Sequence, residues 1–161
     1  MNYYFLTLLV ACTLYALWAG GAPERIGASV YALSVVATFL IVPAADHPPW
    51  INLEVGAFII DAATFVAFII ISLRANRYWP LWVTAFLGIG VLGHVAKLVV
   101  PDTFWRAYAV VLTIWSYPIL LLIAVGAFRH RQRLVRNGAD RSWASSSDRS
   151  AQTPTAGPTA S

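Results

Sequence analysis

The 161-residue chain has few charged residues, and this scarcity excludes a soluble globular domain. Asp, Glu, Lys and Arg make up 11% of the sequence, whereas 59% of the residues are hydrophobic and the mean hydropathy is +0.67. Soluble domains average about 25% charged residues. The composition therefore predicts an integral membrane protein.

The chain also has a single cysteine, Cys12, which lies within an apolar run. One cysteine excludes a disulfide framework and a cysteine-based metal site within one copy of the chain. The sequence contains no Walker loop, zinc-protease helix, nucleophile elbow or lipidation signal, and we predict no cofactor. No basic residue precedes the first apolar run, so we interpret that run as an uncleaved span rather than a signal peptide.

Long apolar runs are what the sequence does contain, and each has the length of a membrane-spanning helix. A helix that rises 1.5 Å per residue needs about 20 residues to cross roughly 30 Å of hydrocarbon. Unbroken runs of this length favour helices over the short alternating strands of a β-barrel. We predict an all-α polytopic membrane helix bundle. Its five transmembrane helices are placed at residues 2–19, 25–42, 54–73, 80–100 and 107–128.

Lys and Arg predict the orientation of this bundle. With five spans, one side receives Arg25, the turn at 74–77 and the arginines of the C-terminal segment, whereas the other side receives only Arg106 and Lys97. Positive charge marks the cytoplasmic side, so the N-terminus is predicted outside and the C-terminus cytoplasmic. The alternative is a bundle of four helices without span 25–42, which places the N-terminus inside.

Aromatic residues agree with the same placement, because Trp and Tyr are enriched at both membrane interfaces. The predicted inner belt consists of Trp18, Tyr78, Trp79 and Trp82. The predicted outer belt consists of Tyr3, Tyr4, Trp50, Trp105 and Tyr108.

Two parts of the chain are predicted to differ in character. Residues 1–136 form the helical bundle, and residues 129–136 are its basic extension on the cytoplasmic side, with arginines at Arg129, Arg131, Arg133 and Arg136. Each basic group beside a membrane adds about 1 kcal/mol of attraction to anionic lipid. We interpret these arginines as a membrane-surface patch whose partner is the lipid bilayer and not a nucleic acid. Residues 137–161, rich in small and polar residues, are predicted to form a disordered cytoplasmic tail.

Three ionisable residues lie inside the third and fourth spans: Asp61, His94 and Lys97. At 1.5 Å per residue, Asp61 lies about 10 Å and His94 about 9 Å below the outer surface, on antiparallel neighbours joined by a short turn. The two are therefore expected to face each other. Glu54 precedes Asp61 by seven residues and Lys97 follows His94 by three, so this second pair is expected nearer the outer water. The sequence predicts a polar cluster of Glu54, Asp61, His94 and Lys97.

This cluster has a structural and a functional interpretation. An isolated charge in hydrocarbon costs several kcal/mol, so such residues pair, face the bundle interior or line water. Asp61 and His94 either hydrogen-bond across helices and fix their packing, or form a proton relay or a small-ligand site. A metal site would combine His94 with Asp46 and His47 from the loop between spans two and three. No ligand spacing on a single helix supports that third interpretation.

Several segments of the chain resemble a group of short bacterial integral membrane proteins known only as hypothetical. The resemblance rests on residues 20–27, 54–61, the run RYWPLW at 77–82, and WSYP at 115–118 followed by RHR at 129–131. It covers most of residues 1 to 143. It implies a multi-pass protein of the bacterial inner membrane, with no assigned activity, and it transfers no site residue.

The leading functional hypothesis is a small integral membrane protein without catalytic activity, acting as an accessory or packing subunit of a homo-oligomer or a larger membrane complex. An alternative is a carrier or proton-linked small-ligand binding protein that uses an outward-facing cluster of Asp61, His94 and Lys97. A further alternative is a membrane-embedded enzyme acting on a lipid or quinone. A closed Asp61–His94 contact favours packing, and a water-accessible cavity there favours the carrier.

Overall fold

A computed structural model describes residues 3–41, 55–99, 105–138 and 143 of the chain. Within them the chain forms five α-helices, which agrees with the predicted all-α class. They are α1 (Tyr3–Ala19), α2 (Ala22–Ile41), α3 (Val55–Arg74), α4 (Trp79–Val99) and α5 (Trp105–Asn137). Apart from the end of α5, each helix begins and ends within three residues of a predicted span, because long apolar runs bounded by Gly, Pro and Arg have clear ends.

Three of these helices are long and apolar enough to cross a membrane: α2, α3 and the Trp79–Lys97 part of α4. Helix α1 is also apolar but has 17 residues, about 25 Å at 1.5 Å per residue. Large apolar side chains remain exposed on the outer faces of the helices, among them Leu33, Leu40, Leu73 and Leu92. Extensive exposed apolar surface is typical of helices that contact lipid. The fold is that of a membrane protein.

The helices follow one another in chain order around the bundle. Helix α2 packs against α1 and α3, α4 packs against α3 and α5, and α1 closes the ring against α5. Helix α2 also contacts α5 across the bundle. Only residues 20–21 separate α1 from α2, and only residues 75–78 separate α3 from α4. Such short connections make each pair antiparallel neighbours.

The core draws on all five helices. Ala16, Ala28 and Ala127 are almost completely buried, and small residues of this kind let helix backbones approach closely. The buried apolar side chains of the core are Leu9, Cys12, Ala16, Ala28, Tyr31, Phe68, Trp79, Val83, Leu87, Ile119, Leu120, Ile123 and Ala127.

Helix α5 is longer than the predicted fifth span. The prediction ended that span at residue 128, whereas the helix continues through the basic segment to Asn137. Gly138 then ends it, with a φ of 70° and an N–H that donates to the Leu134 carbonyl over 2.9 Å. Glycine adopts this left-handed conformation at the lowest cost. A helix of 33 residues is about 50 Å long, which exceeds a hydrocarbon layer of roughly 30 Å.

Beyond Gly138, the predicted tail is described at one residue. Trp143 forms an isolated antiparallel bridge with Ala75, in the turn between α3 and α4. The rest of the predicted tail beyond Gly138 lies outside the described residues.

Candidate functional site

The predicted contact between Asp61 and His94 is present. Asp61 lies in the second turn of α3, His94 lies near the end of α4, and His94 Nε2 is 2.9 Å from Asp61 Oδ2. The His94 side chain is 1% exposed, with its ring centroid 5.5 Å from that of Phe58, and the Asp61 side chain is 34% exposed. A hydrogen bond from a buried imidazole to a half-buried carboxylate thus links α3 to α4.

The rest of the predicted polar cluster is described in part. Lys97 lies one turn beyond His94 on α4 and is buried. Its predicted partner Glu54, like the metal candidates Asp46 and His47, lies outside the described residues. In the described ranges no three His, Cys, Asp or Glu side chains are grouped to hold a metal ion. A functional role for the cluster therefore stays a prediction.

A second polar cluster, which the sequence reasoning missed, lies at the opposite end of the bundle. Glu24 on α2 is 0% exposed, and its Oε1 accepts a 2.9 Å hydrogen bond from the indole Nε1 of Trp79. The same Oε1 is 3.2 Å from Arg77 Nε. Arg77 in turn places Nη2 3.1 Å from Nδ1 of His130 on α5. These four residues, here called the Glu24 cluster, join α2, the α3–α4 turn, α4 and α5.

Arg77 determines which ring nitrogen of His130 carries the proton. A guanidinium only donates hydrogen bonds, so Nδ1 of His130 is the acceptor and Nε2 carries the hydrogen. A Cβ on Gly21 would lie 3.1 Å from His130 Nε2 and 3.0 Å from Glu24 Oε2. The ring and the carboxylate therefore pack directly against the α1–α2 turn, where a glycine at position 21 avoids a tight contact with both.

Trp79 lies in a slot between two glycines. A Cβ on Gly27 of α2 would lie 2.8 Å from its Cη2, and one on Gly126 of α5 would lie 2.9 Å from its Cδ1 and Nε1. The edge of the indole also contacts Phe68, with ring centroids 6.4 Å apart. The prediction that Trp79 belongs to an interfacial belt is wrong, because its side chain is turned into the bundle to reach Glu24. The other three members, Trp18, Tyr78 and Trp82, are exposed.

The Glu24 cluster buries a carboxylate and a guanidinium as a neutral pair. The Glu24 side chain is 0% and the Arg77 side chain 3% exposed. Taking each ion out of water costs several kcal/mol, which only close partners and further hydrogen bonds offset. The indole of Trp79 and the imidazole of His130 supply such bonds, whereas Glu24 Oε2 has no hydrogen-bond partner among the described residues. All four side chains are buried, so the arrangement is suited to fixing helix positions.

These contacts also bring the basic parts of the chain to one end of the bundle. Arg25 at the start of α2 donates from Nε to the Gly20 carbonyl over 3.0 Å, beside the α1–α2 turn. The α3–α4 turn meets α2 through Arg77 and meets α5 through His130. The five-span prediction requires these three regions to lie on the same side.

The predicted membrane-surface patch lies on this basic end of α5. Arg129, Arg131 and Arg136 are exposed, and Arg133 is half-buried. The guanidinium carbon of Arg131 stands 4.4 Å from the centroid of the Trp18 ring on α1. This is the geometry of a cation–π contact, and it joins the patch to α1.

Comparisons with models of known protein families, with curated proteins and with solved structures give no match to this chain. The function is therefore inferred from the geometry of its polar and basic side chains.

Proposed function

We propose that the chain is a non-catalytic membrane protein, an accessory or packing subunit of a homo-oligomer or a larger membrane complex. One observation carries this proposal: ionisable side chains inside the bundle bond to one another across helices. Asp61 with His94 links α3 to α4, and Glu24 with Arg77 links α2 to the α3–α4 turn. Polar groups paired in this way hold membrane helices together.

The burial of the His94 ring supports packing over transport. A carrier needs a water-accessible cavity at the groups that take up its substrate. The His94 ring is buried against Phe58 and bonded to Asp61. Two surface cavities among the described residues lie elsewhere, one between α1 and α5 and one between α4 and α5.

The proposed placement is the bacterial inner membrane, with five spans, the N-terminus outside and the C-terminus cytoplasmic. The gathering of Arg25, Arg77 and the arginines of α5 at one end of the bundle supports this orientation, because basic residues accumulate on the cytoplasmic side. The choice of the bacterial inner membrane is a proposal drawn only from the sequence resemblance given above.

A second candidate, a proton-linked carrier or small-ligand protein, is favoured by the exposure of Asp61. Its side chain is 34% exposed, whereas that of its partner His94 is 1% exposed. A carboxylate that is open on one side and bonded to an imidazole on the other is a suitable proton acceptor. An enzyme acting on a lipid or quinone has no comparable support among the described residues.

Proton flux into liposomes separates the two candidates. Purified protein is reconstituted with a pH-sensitive dye inside the vesicles, and a pH gradient is imposed. The packing role predicts that wild type, Asp61→Asn and protein-free vesicles show the same flux. A flux above that of protein-free vesicles that Asp61→Asn abolishes would replace the packing role by the carrier. His94→Gln, which breaks the same contact from the other side, serves as the matched variant.

The proposed orientation is tested by cysteine labelling. In a Cys12→Ala background, single cysteines replace Asn76, which is exposed in the α3–α4 turn, or Asp46, in the connection between α2 and α3. A membrane-impermeant maleimide applied to spheroplasts is expected to label position 46 and not position 76. Labelling of both positions from the same side would overturn the five-span placement.

A further inference from the structure

We propose that a groove between α1 and α5 binds one anionic phospholipid. This inference rests on the membrane placement proposed above, and it adds a ligand to the packing role. The α1/α5 groove is lined by Tyr15 of α1 and by Phe128, Arg131, Gln132, Val135 and Arg136 of α5. Its volume of about 460 Å³ falls within the roughly 300–1,000 Å³ of typical small-molecule sites.

The charge of the groove is complementary to a phosphate group. Arg131 and Arg136 both line it, and no acidic side chain does. A guanidinium presents planar N–H donors that bind phosphate in a bidentate manner, and the Gln132 amide offers a further donor. The guanidinium carbon of Arg131 lies 4.4 Å from the centroid of the Trp18 ring, and this cation–π contact holds the side chain beside the groove.

The apolar part of the groove fits an acyl chain. Tyr15 and Phe128 supply it, and Phe128 is 50% exposed. Phe128 is the last residue before the arginine-rich segment, whose Arg131, Gln132, Val135 and Arg136 line the rest of the groove, so the lining is apolar at the Phe128 end and mainly polar beyond it. A phospholipid has the same order, with acyl chains followed by a phosphate. Trp18, 69% exposed beside the groove, is a residue type enriched at that boundary.

A defined site differs from general attraction of lipid to the arginine patch. Arg129 belongs to the same basic segment and is also exposed, but it does not line the groove. If the lipid were held only by general electrostatic attraction, each arginine would contribute about equally to lipid affinity, roughly a fivefold change for each. Charge-assisted hydrogen bonds to a bound phosphate are worth more, about tenfold or above for each arginine.

Native mass spectrometry of the full-length protein in detergent tests the site. Phosphatidylglycerol or phosphatidylcholine is titrated into the wild type and into Arg131→Gln, Arg136→Gln and the matched control Arg129→Gln. We expect one phosphatidylglycerol to bind in preference to phosphatidylcholine, with a loss of about tenfold or more for Arg131→Gln and Arg136→Gln. The control is expected to lose about fivefold or less. Gln132→Trp, which fills the groove without changing the charge, is expected to abolish the one-lipid complex.

Equal losses in Arg129→Gln and Arg131→Gln, or equal binding of the two lipids, would overturn the groove and leave only diffuse attraction. Because all the replaced side chains are exposed, the variants retain the fold, and far-UV circular dichroism verifies this. The labelling of positions 46 and 76 tests the membrane placement without any lipid titration. Failure of the proposed membrane placement and failure of the proposed lipid site therefore give different experimental results.

Discussion

Replacing Glu24 by glutamine tests the buried ion pair of the Glu24 cluster directly. Glutamine keeps the shape and an oxygen that accepts the indole N–H of Trp79, but it removes the charge opposite Arg77. The Arg77 side chain is 3% exposed, so water cannot solvate its charge instead. Breaking a buried pair from one side costs about 3–5 kcal/mol, more than the roughly 0.6–2 kcal/mol of an interhelical hydrogen bond in a membrane. We expect Glu24→Gln to lower the free energy of unfolding by about 3–5 kcal/mol.

The reverse and double variants show whether charge is the cause. Arg77→Met leaves the Glu24 carboxylate without its cation, so a loss of about 3–5 kcal/mol is expected again. Uncharged residues of similar volume often replace a buried pair at little cost. The double variant Glu24→Gln/Arg77→Met is therefore expected to be more stable than either single variant, and within about 2 kcal/mol of the wild type.

The assay is SDS titration of the protein in detergent micelles, followed by far-UV circular dichroism and by tryptophan fluorescence, to which the buried Trp79 contributes. Arg74→Gln is the matched control, because Arg74 is exposed beside the same turn, and its effect is expected within about 0.5 kcal/mol. Losses below about 1 kcal/mol in both single variants, or losses that simply add in the double variant, would refute the reasoning.

Three further predictions use the same titration. Gly126→Ala is expected to destabilise by about 1–3 kcal/mol, because its Cβ would lie 2.9 Å from the indole of Trp79. Gly138→Ala is expected to cost about 1–2 kcal/mol and to reduce helicity at the end of α5, since its φ of 70° disfavours a Cβ. Asp61→Asn is expected to cost about 1 kcal/mol or less, because the amide oxygen still accepts from His94 and the site is 34% exposed.

Each of the three has its own control. The control for Gly126→Ala is Gly88→Ala, whose Cβ would lie 3.2 Å from Phe65. Because the substitution also gains about 1 kcal/mol of helix propensity, its effect on stability is expected to be nearly neutral. Equal effects at positions 88 and 126 would contradict the claim that Gly126 makes room for Trp79. The control for Gly138→Ala is Gly138→Asn, because asparagine adopts the left-handed conformation more readily than alanine and should destabilise the protein less. A larger loss of stability in Gly138→Asn than in Gly138→Ala would contradict the role of the positive φ at the helix end. A loss in Asp61→Asn as large as that in Glu24→Gln would contradict the difference in burial.

The Asp61–His94 pair was predictable because it depends on the depth of each residue along its helix and on the adjacency of the two helices, and both can be counted along the chain. Asp61 is nearly as far from the start of α3 as His94 is from the end of α4. The short connection at residues 75–78 makes these two helices pack antiparallel. The Glu24 cluster depends on neither quantity. Glu24 and Arg77 are 53 residues apart, and so are Arg77 and His130. In the sequence, Glu24 is an acidic residue in a helix first turn, where the helix dipole alone accounts for it.

The sequence by itself determined the membrane class, the helices and the side of the bundle that carries positive charge. It did so because a backbone in hydrocarbon must satisfy its hydrogen bonds within helices, which leaves long apolar runs as the spans. Only the tertiary structure decided which way each helix turns about its own axis. That rotation follows from close packing at Gly27 and Gly126, which opens the slot for Trp79. Burial of Glu24 follows in turn, since the indole then reaches its carboxylate.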